Sequence, residues 1–157
     1  MEIRKVAVIG GGTMGNGIAH IFAMKGFEVY LTEMNEELYK RAISIISGNL
    51  DRQLKKQVIT DDEKKQTLSK INKVIGVESI PVDINLVIEA IFENKDVKLT
   101  IFKQLENQMN GDTDRNLLLT LRGSRENCFR VGVISSEILP VGADANLVFR
   151  AFSLFRQ

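Results

Sequence analysis

The sequence predicts an α/β fold built on a doubly wound parallel sheet, and two observations predict it. Short apolar runs of strand length alternate with longer amphipathic stretches of helical period. Tight turns separate these segments, and a helix between successive strands returns the chain to the end of the sheet where the next parallel strand begins. The 157 residues are enough for one such domain with a buried core.

Four elements are predicted in the first third of the chain. The apolar run Ile3–Ile9 ends at a glycine, which is typical of a buried parallel strand. A helix with an apolar face follows and ends at Gly26, and Phe27–Thr32 alternates as a second strand. A long helix is predicted from Asn35 to about Lys56. Its apolar stripe consists of Leu38, Ile45, Ile46, Leu50 and Leu54.

The next four elements complete an alternating pattern. Thr60 and Glu63 fit a capping box, so a further helix begins there and runs to about Lys70. Lys73–Val77 and Asn85–Ala90 are predicted strands, and Asp96 to about Met109 is predicted to be helical.

Composition and charge exclude several functional classes. Charged residues make up 26% of the chain and the net charge is +1, which is not typical of a protein that binds nucleic acid or an anionic membrane. No apolar run has the length of a transmembrane helix, and the N-terminus lacks a secretory layout. The single cysteine, Cys128, cannot form an internal disulfide. A cytoplasmic location is therefore expected.

The pattern changes in the last quarter of the chain. Every basic residue after Lys103 is an arginine, and three phenylalanines crowd the C-terminal end without a clean period. We therefore expect an α/β domain over residues 1–115, which the glycine motif described below identifies as a dinucleotide-binding Rossmann domain, and a divergent tail over residues 116–157. Leu117–Leu121 is apolar enough to supply a fifth strand. The rest of the tail is expected to pack loosely and to offer an apolar surface for self-association.

The first strand and helix are joined by a glycine motif. Gly10, Gly12 and Gly15 form G-x-G-x-x-G between them. In a Rossmann fold, the first glycine permits the tight turn, the second lets the backbone approach a pyrophosphate, and the third lets helix and strand pack closely. The helix N-terminus then presents free N–H groups to the phosphates. The alternative is a glycine-rich turn that binds no ligand.

An acidic residue ends the second strand at the spacing expected for ribose binding. Glu33 follows Gly15 by about the number of residues that separates the two features in NAD-binding domains. Its carboxylate would accept hydrogen bonds from the adenosine ribose and repel the 2′-phosphate of NADP. NAD is therefore the predicted cofactor. The alternative is a solvated acid at the end of a strand.

Three further segments carry a family resemblance that extends from Lys5 to about Thr113. They are G-T-M-G-N-G-I-A-H at Gly12–His20, N-L-D-R at Asn49–Arg52 and V-I-E-A-I-F-E-N-K-D-V-K at Val87–Lys98. Together they resemble the 3-hydroxyacyl-CoA dehydrogenases, and most of all the bacterial 3-hydroxybutyryl-CoA branch. The resemblance implies an NAD-dependent oxidoreductase of fatty acid and butanoate metabolism. It would transfer hydride between NAD and C3 of a 3-hydroxyacyl-CoA.

The resemblance also implies roles for single residues. Glu93 and Lys98 match positions at the nicotinamide-ribose end of the cofactor, and the alternative is a solvated pair at a helix start. Lys56 matches a lysine that reaches the CoA phosphates, and Asn49 stands at a polar CoA contact; the alternative is a solvated helix face. The predicted cofactor site comprises Gly10, Gly12, Thr13, Met14, Gly15, Glu33, Ala90, Glu93 and Lys98.

The catalytic residues that the family would supply are not found in this sequence. Its chemistry needs a histidine base in an H-F-x-N-P stretch and a serine in an N-T-S motif, and neither stretch occurs. The single histidine, His20, falls within the first predicted helix, where packing is the expected role. We therefore predict no catalytic residue and no metal site. We also expect no counterpart here of the helical C-terminal domain of the family.

A change of reading frame is one explanation for the tail. Codons can be chosen for Asn116–Arg125 that read, from the third base of the first codon, as S-S-T-N-T-S-G-L-S. That peptide contains the missing serine motif. The tail is thus a divergent segment, or the product of a frame shift that begins near Asp114.

Two other functions compete with the dehydrogenase interpretation. One is a non-catalytic NAD-binding or interaction module. A dehydrogenase would oxidise NADH in the presence of acetoacetyl-CoA, whereas such a module would not. The other is a Rossmann dehydrogenase of the 3-hydroxyisobutyrate type. The segment Glu89–Lys98 favours the acyl-CoA family over that type.

Overall fold

The computed structural model describes residues 3–92, 94–109, 117–122 and 130–133. The strands are β1 Lys5–Ile9, β2 Glu28–Glu33, β3 Ile71–Ile75, β4 Leu86–Glu89, β5 Leu117–Arg122 and β6 Arg130–Val133. The helices are α1 Thr13–Met24, α2 Glu36–Lys55, α3 Asp61–Ser69 and α4 Lys95–Met109, with a 3-10 turn at Val77–Ser79. No helix in these ranges is both long and apolar enough to cross a membrane.

The strands form one sheet in the order β3-β2-β1-β4-β5-β6. The first five strands are parallel, and β6 pairs with β5 in the antiparallel direction. The predicted doubly wound α/β fold is therefore confirmed. Because β2 and β4 lie on opposite sides of β1, the strand order reverses there. Ligands of open α/β sheets bind in the crevice at such a reversal, outside the carboxyl ends of the strands.

Each face of the sheet is covered by its own hydrophobic core. Alternate side chains of a strand point to opposite faces, so Val6 and Val8 enter one core and Ala7 and Ile9 the other. The first core contains the apolar sides of α1 and α2, whereas the second contains Ile101 and other residues of α4. Because β1 pairs with β4, the carboxyl ends of these two strands lie side by side between the two cores.

The long second helix agrees with its predicted bounds, but part of its predicted stripe is wrong. Asn35 is the N-cap and Lys56 the C-cap. Leu38 and Ile45 are 37% and 39% exposed. The core-facing row is instead Ala42, Ile46 and Leu50, which repeat every fourth residue.

The third strand begins and ends two residues earlier than predicted, and Gly76 directly follows its last residue. Gly76 has a positive φ of 78° and donates its N–H to the Glu33 carbonyl oxygen at 2.9 Å. The chain then turns into the 3-10 segment, so Val77 is not part of the strand.

The tail extends the sheet by two strands. The predicted strand at Leu117–Leu121 is present as β5, paired with β4 from Leu86↔Leu117 to Glu89↔Thr120. β6 had no counterpart in the sequence-based prediction. The expected loose packing of the remaining tail lies outside the described residues.

Candidate dinucleotide-binding site

The glycine turn at the end of β1 has the backbone that its first predicted role requires. Gly10 has a φ of +91°, and its N–H donates to the Thr32 carbonyl oxygen at 2.9 Å. A Cβ placed there would lie 3.0 Å from Ile91 Cγ2 and 3.1 Å from the Ala90 carbonyl oxygen. A side chain at Gly10 would therefore be strained by both conformation and contact.

The other two motif glycines differ from each other in their surroundings. A Cβ at Gly15 would stand 1.6 Å from the Gly10 carbonyl oxygen, so only glycine allows α1 to approach the turn this closely. A Cβ at Gly12 would meet no atom within 4 Å. The space beside Gly12 thus faces the crevice, as expected if a ligand approaches the backbone there.

The start of α1 differs from the other helix starts. Side chains cap the other three: Asn35 accepts from Leu38 N, Thr60 accepts from Glu63 N, and Asn94 accepts from two N–H groups of α4. Gly12, the N-cap of α1, offers no side chain, and its first turn has no acidic residue. Its first N–H groups and the positive end of its dipole are therefore suited to an external anion.

Glu33 lies next to this helix start, held by a residue that the motif analysis did not assign. Gly11 donates its N–H to Glu33 Oε1 at 2.6 Å. A Cβ at Gly11 would lie 2.6 Å from the Ala42 Cβ and 3.0 Å from Glu33 Oε1. The motif treats this position as variable, and only the packing of α2 against the turn shows that it must be small.

Asn16 is a second site residue that the sequence did not reveal. It is buried in the first turn of α1, and its Nδ2 donates to the Gly12 carbonyl oxygen at 2.6 Å. The same oxygen accepts the Asn16 N–H at 3.0 Å. Asn16 therefore fixes the orientation of the Gly12 peptide.

The remaining predicted residues of the turn lie around this helix start. Ala90 is half-buried, donates its N–H to the Ile9 carbonyl oxygen at 2.9 Å, and packs with Met14 against the first core. Thr13 is exposed. The structure thus brings the predicted glycines, Glu33, Thr13, Met14 and Ala90 together at the carboxyl ends of β1, β2 and β4.

Lys98 is not part of a solvated pair, so that alternative is wrong for this residue. It is only 6% exposed, and its Nζ lies 3.0 Å from Oε2 of Glu89, which is completely buried. Glu89 Oε1 accepts the Ile91 N–H at 2.8 Å. Sequence analysis did not assign Glu89. The signal that could have revealed it is an acidic residue at the end of an apolar strand, because a buried charge requires a partner. Glu93 lies outside the described residues.

The two predicted CoA residues lie away from the glycine turn. Lys56, at the C-terminal end of a 20-residue helix, is about 30 Å from the start of that helix beside Glu33. It is exposed, and Asn49 is half-buried and accepts a hydrogen bond from Arg52. The structure therefore does not bring Asn49 or Lys56 to the dinucleotide crevice.

His20 has the packing environment that was predicted for it. It is buried in α1 with 6% exposure, and its Nε2 has no hydrogen-bond partner among the described residues. Burial lowers the pKa of its imidazole, so it stays neutral at pH 7. A buried side chain in this position is not accessible as a general base.

Comparison with known proteins agrees with this geometry. The family model described as 3-hydroxyacyl-CoA dehydrogenase, NAD binding domain, matches residues 5–114. A 3-hydroxybutyryl-CoA dehydrogenase of Bradyrhizobium diazoefficiens is 43% identical over 103 residues, which cover 66% of this chain and 35% of that protein. A probable 3-hydroxyacyl-CoA dehydrogenase of Caenorhabditis elegans is 40% identical over 116 residues, covering 71% and 39%. The chain thus spans little more than a third of either relative.

The fold also resembles that of a solved structure. A crystal structure of (S)-3-hydroxybutyryl-CoA dehydrogenase from Ralstonia eutropha superposes with a TM-score of 0.72 at 24% identity. The superposition covers 98% of this chain and 61% of that one.

The residues present fit NAD at two points. The uncapped start of α1, with open space at Gly12, suits a pyrophosphate, and the Glu33 carboxylate beside it suits the hydroxyls of a ribose. The fold, this site and the match over residues 5–114 agree. The chain therefore belongs to the 3-hydroxyacyl-CoA dehydrogenase family and carries its NAD-binding domain.

Proposed function

We propose that this chain is the cofactor-binding part of an enzyme that transfers hydride between NAD and C3 of a 3-hydroxyacyl-CoA. The observation that carries the proposal is the uncapped N-terminus of α1 lying beside Glu33 at the reversal of strand order. The names of the relatives, which act on 3-hydroxybutyryl-CoA and 3-hydroxyacyl-CoA, support the substrate class.

Each part of the site has a defined task in this proposal. The N–H groups at the start of α1 hold the pyrophosphate, and the absence of a side chain at Gly12 lets it approach. The Gly11 N–H fixes Glu33 Oε1, which leaves Oε2 to accept hydrogen bonds from the adenosine ribose. NAD, when bound, supplies the hydride acceptor. The turn and Ala90 exclude water from one side of it.

Asn49 and Lys56 are proposed to contact the CoA moiety. CoA is a long molecule, so a contact far along α2 is compatible with a reacting group at the crevice. The Lys56 side chain is exposed, and an exposed charge is screened by salt and contributes little affinity. We therefore expect this side of the CoA site to bind weakly on its own.

The 157-residue chain is proposed to bind cofactor without turning over substrate. Its single histidine is the buried His20. General base catalysis contributes roughly 10²–10⁴-fold to a rate, and we propose that this chain supplies no suitable base. The family match ends at residue 114, which supports the proposal that the sequence beyond it is divergent or read in a shifted frame.

Turnover tests this account. We expect the 157-residue chain to show no oxidation of NADH by acetoacetyl-CoA, measured as loss of absorbance at the reduced-nicotinamide band. We expect a chain whose frame is restored from Asp114 and extended through a helical domain to show it. Turnover by the 157-residue chain that survives His20→Ala would refute the proposal that this chain lacks a general base. An inactive restored chain would refute the frame shift.

A further inference from the structure

A buried ion pair lies directly beneath the dinucleotide crevice. Glu89 ends β4 opposite Ile9, the residue before the Gly10 turn. Lys98 reaches it from the first turns of α4, with 3.0 Å between Nζ and Oε2. Glu89 is completely buried, and the Lys98 side chain is 7% exposed. The pair thus joins β4 to α4 at the carboxyl end of the sheet, on the side of β1 opposite β2 and Glu33.

Stability alone does not account for two buried charges at this position. Moving both groups out of water carries a large desolvation cost, and apolar pairs of similar volume are often as stable. Ile9, Val87, Ile101 and Leu105 belong to the apolar core on this face of the sheet. A further apolar pair would fit the same layer, so the charges point to a role at the site above them.

The second oxygen of Glu89 links the pair to the wall of the crevice. Oε1 accepts the Ile91 N–H at 2.8 Å, and Ile91 and Ala90 are the neighbours closest to a Cβ at Gly10. One carboxylate therefore holds both the backbone beside the glycine turn and the ammonium of Lys98.

We propose that Glu89 is a positioning residue that aims Lys98 and balances its charge, and that this balance sets the relative affinity of the site for oxidised and reduced cofactor. The inference rests on the proposed function, because it requires the nicotinamide ring to lie over β4. The oxidised ring carries a positive charge and the reduced ring does not. Loss of the Glu89 charge adds one unit of positive charge beneath the ring and would therefore weaken NAD⁺ binding more than NADH binding.

The test is the ratio of the two dissociation constants in Glu89→Gln, measured by calorimetry for NAD⁺ and NADH. Glutamine retains an acceptor for the Ile91 N–H but removes the charge. A unit charge about 10 Å away, at an effective dielectric constant of about 20, changes a binding constant by roughly tenfold. We expect the ratio to shift by about that factor in favour of NADH. A merely structural role would weaken both forms equally and leave the ratio unchanged, which would overturn the proposal.

Two further variants keep the test decisive if Glu89→Gln does not fold. Lys98→Met should shift the ratio toward NAD⁺, and Glu89→Gln combined with Lys98→Met should return it to within about twofold of the unaltered chain. Equal ratios in these two variants would also overturn the proposal. Asp83→Asn breaks the pair with Lys5 at the opposite end of the sheet and is the control. An unaltered chain that bound neither cofactor would instead refute the proposed function.

Discussion

The motif glycines illustrate how one residue type serves different physical needs. At Gly15 the nearest atom to an added Cβ is a backbone oxygen at 1.6 Å, which cannot rotate away. We expect Gly15→Ala to lower the free energy of unfolding by more than about 3 kcal/mol, since the overlap must displace α1 or the turn. Urea unfolding followed by circular dichroism measures it.

A matched control is available within α2. Gly48 lies in the helix, and an added Cβ would meet no atom within 4 Å. Gly48→Ala should therefore raise the free energy of unfolding by about 0.5–1 kcal/mol. A Gly15→Ala chain as stable as the unaltered one would show that the helix does not pack on the turn as described.

His20 makes stability depend on pH. Burial lowers the pKa of its imidazole in the folded chain, so below about pH 6.5 the unfolded chain binds the proton more readily. The contribution of neutral His20 is therefore present above that pH and is lost as the pH falls. We expect His20→Met to lose less stability than the unaltered chain between pH 7.5 and pH 5.5. The same urea measurement at both values decides it, and an equal loss in the two chains would contradict the assignment.

Whether the role of a single residue could be predicted from the sequence depends mainly on how far along the chain its partners lie. The roles of Gly10 and Gly15 were predictable because a local turn and a local helix start demand them. Gly11 and Glu89 were not, because their importance depends on neighbours from other elements: Ala42 of α2 and Lys98 of α4. Asn16 was missed although its partner, the Gly12 carbonyl oxygen, lies in the cap of the same helix.

At the scale of the element, local signals at helix ends were reliable. Thr60 and Glu63 form the predicted capping box, with Glu63 N to Thr60 Oγ1 at 3.2 Å and Thr60 N to Glu63 Oε2 at 2.7 Å. The hydrogen bonds that the Thr60 backbone N–H and hydroxyl donate to Glu63 Oε2 lower the pKa of the Glu63 carboxyl. The third strand was misplaced because Gly76, whose positive φ ends it, lay inside the predicted apolar run.

The capping box permits a direct test at this scale. Thr60→Ala removes the acceptor for the Glu63 N–H and should lower the free energy of unfolding by about 1 kcal/mol. Thr100→Ala is the control, because Thr100 is exposed in α4 and donates its hydroxyl to the Asp96 carbonyl oxygen behind it, so it caps no helix. Its effect should stay within about 0.5 kcal/mol. Equal effects of the two substitutions would contradict the capping role.

At the scale of the whole molecule, the sheet continues beyond the family match. The match ends at residue 114, yet Leu117–Arg122 pairs with β4 as the fifth parallel strand. The strand was predictable because a buried parallel strand requires mainly apolar residues, whatever their origin. β6 was not, since Arg130–Val133 has no alternation strong enough to distinguish it from a loop.

The central claim is that this chain binds NAD at the start of α1, and a fluorescence titration tests it most directly. The unaltered chain and Gly12→Val should give the same circular dichroism spectrum, because the new side chain meets no protein atom at its Cβ. The unaltered chain should bind NADH more tightly than NADPH, since Glu33 repels a 2′-phosphate, and Gly12→Val should bind neither. Equal affinity for the two cofactors, or NADH binding retained by a folded Gly12→Val chain, would contradict the account.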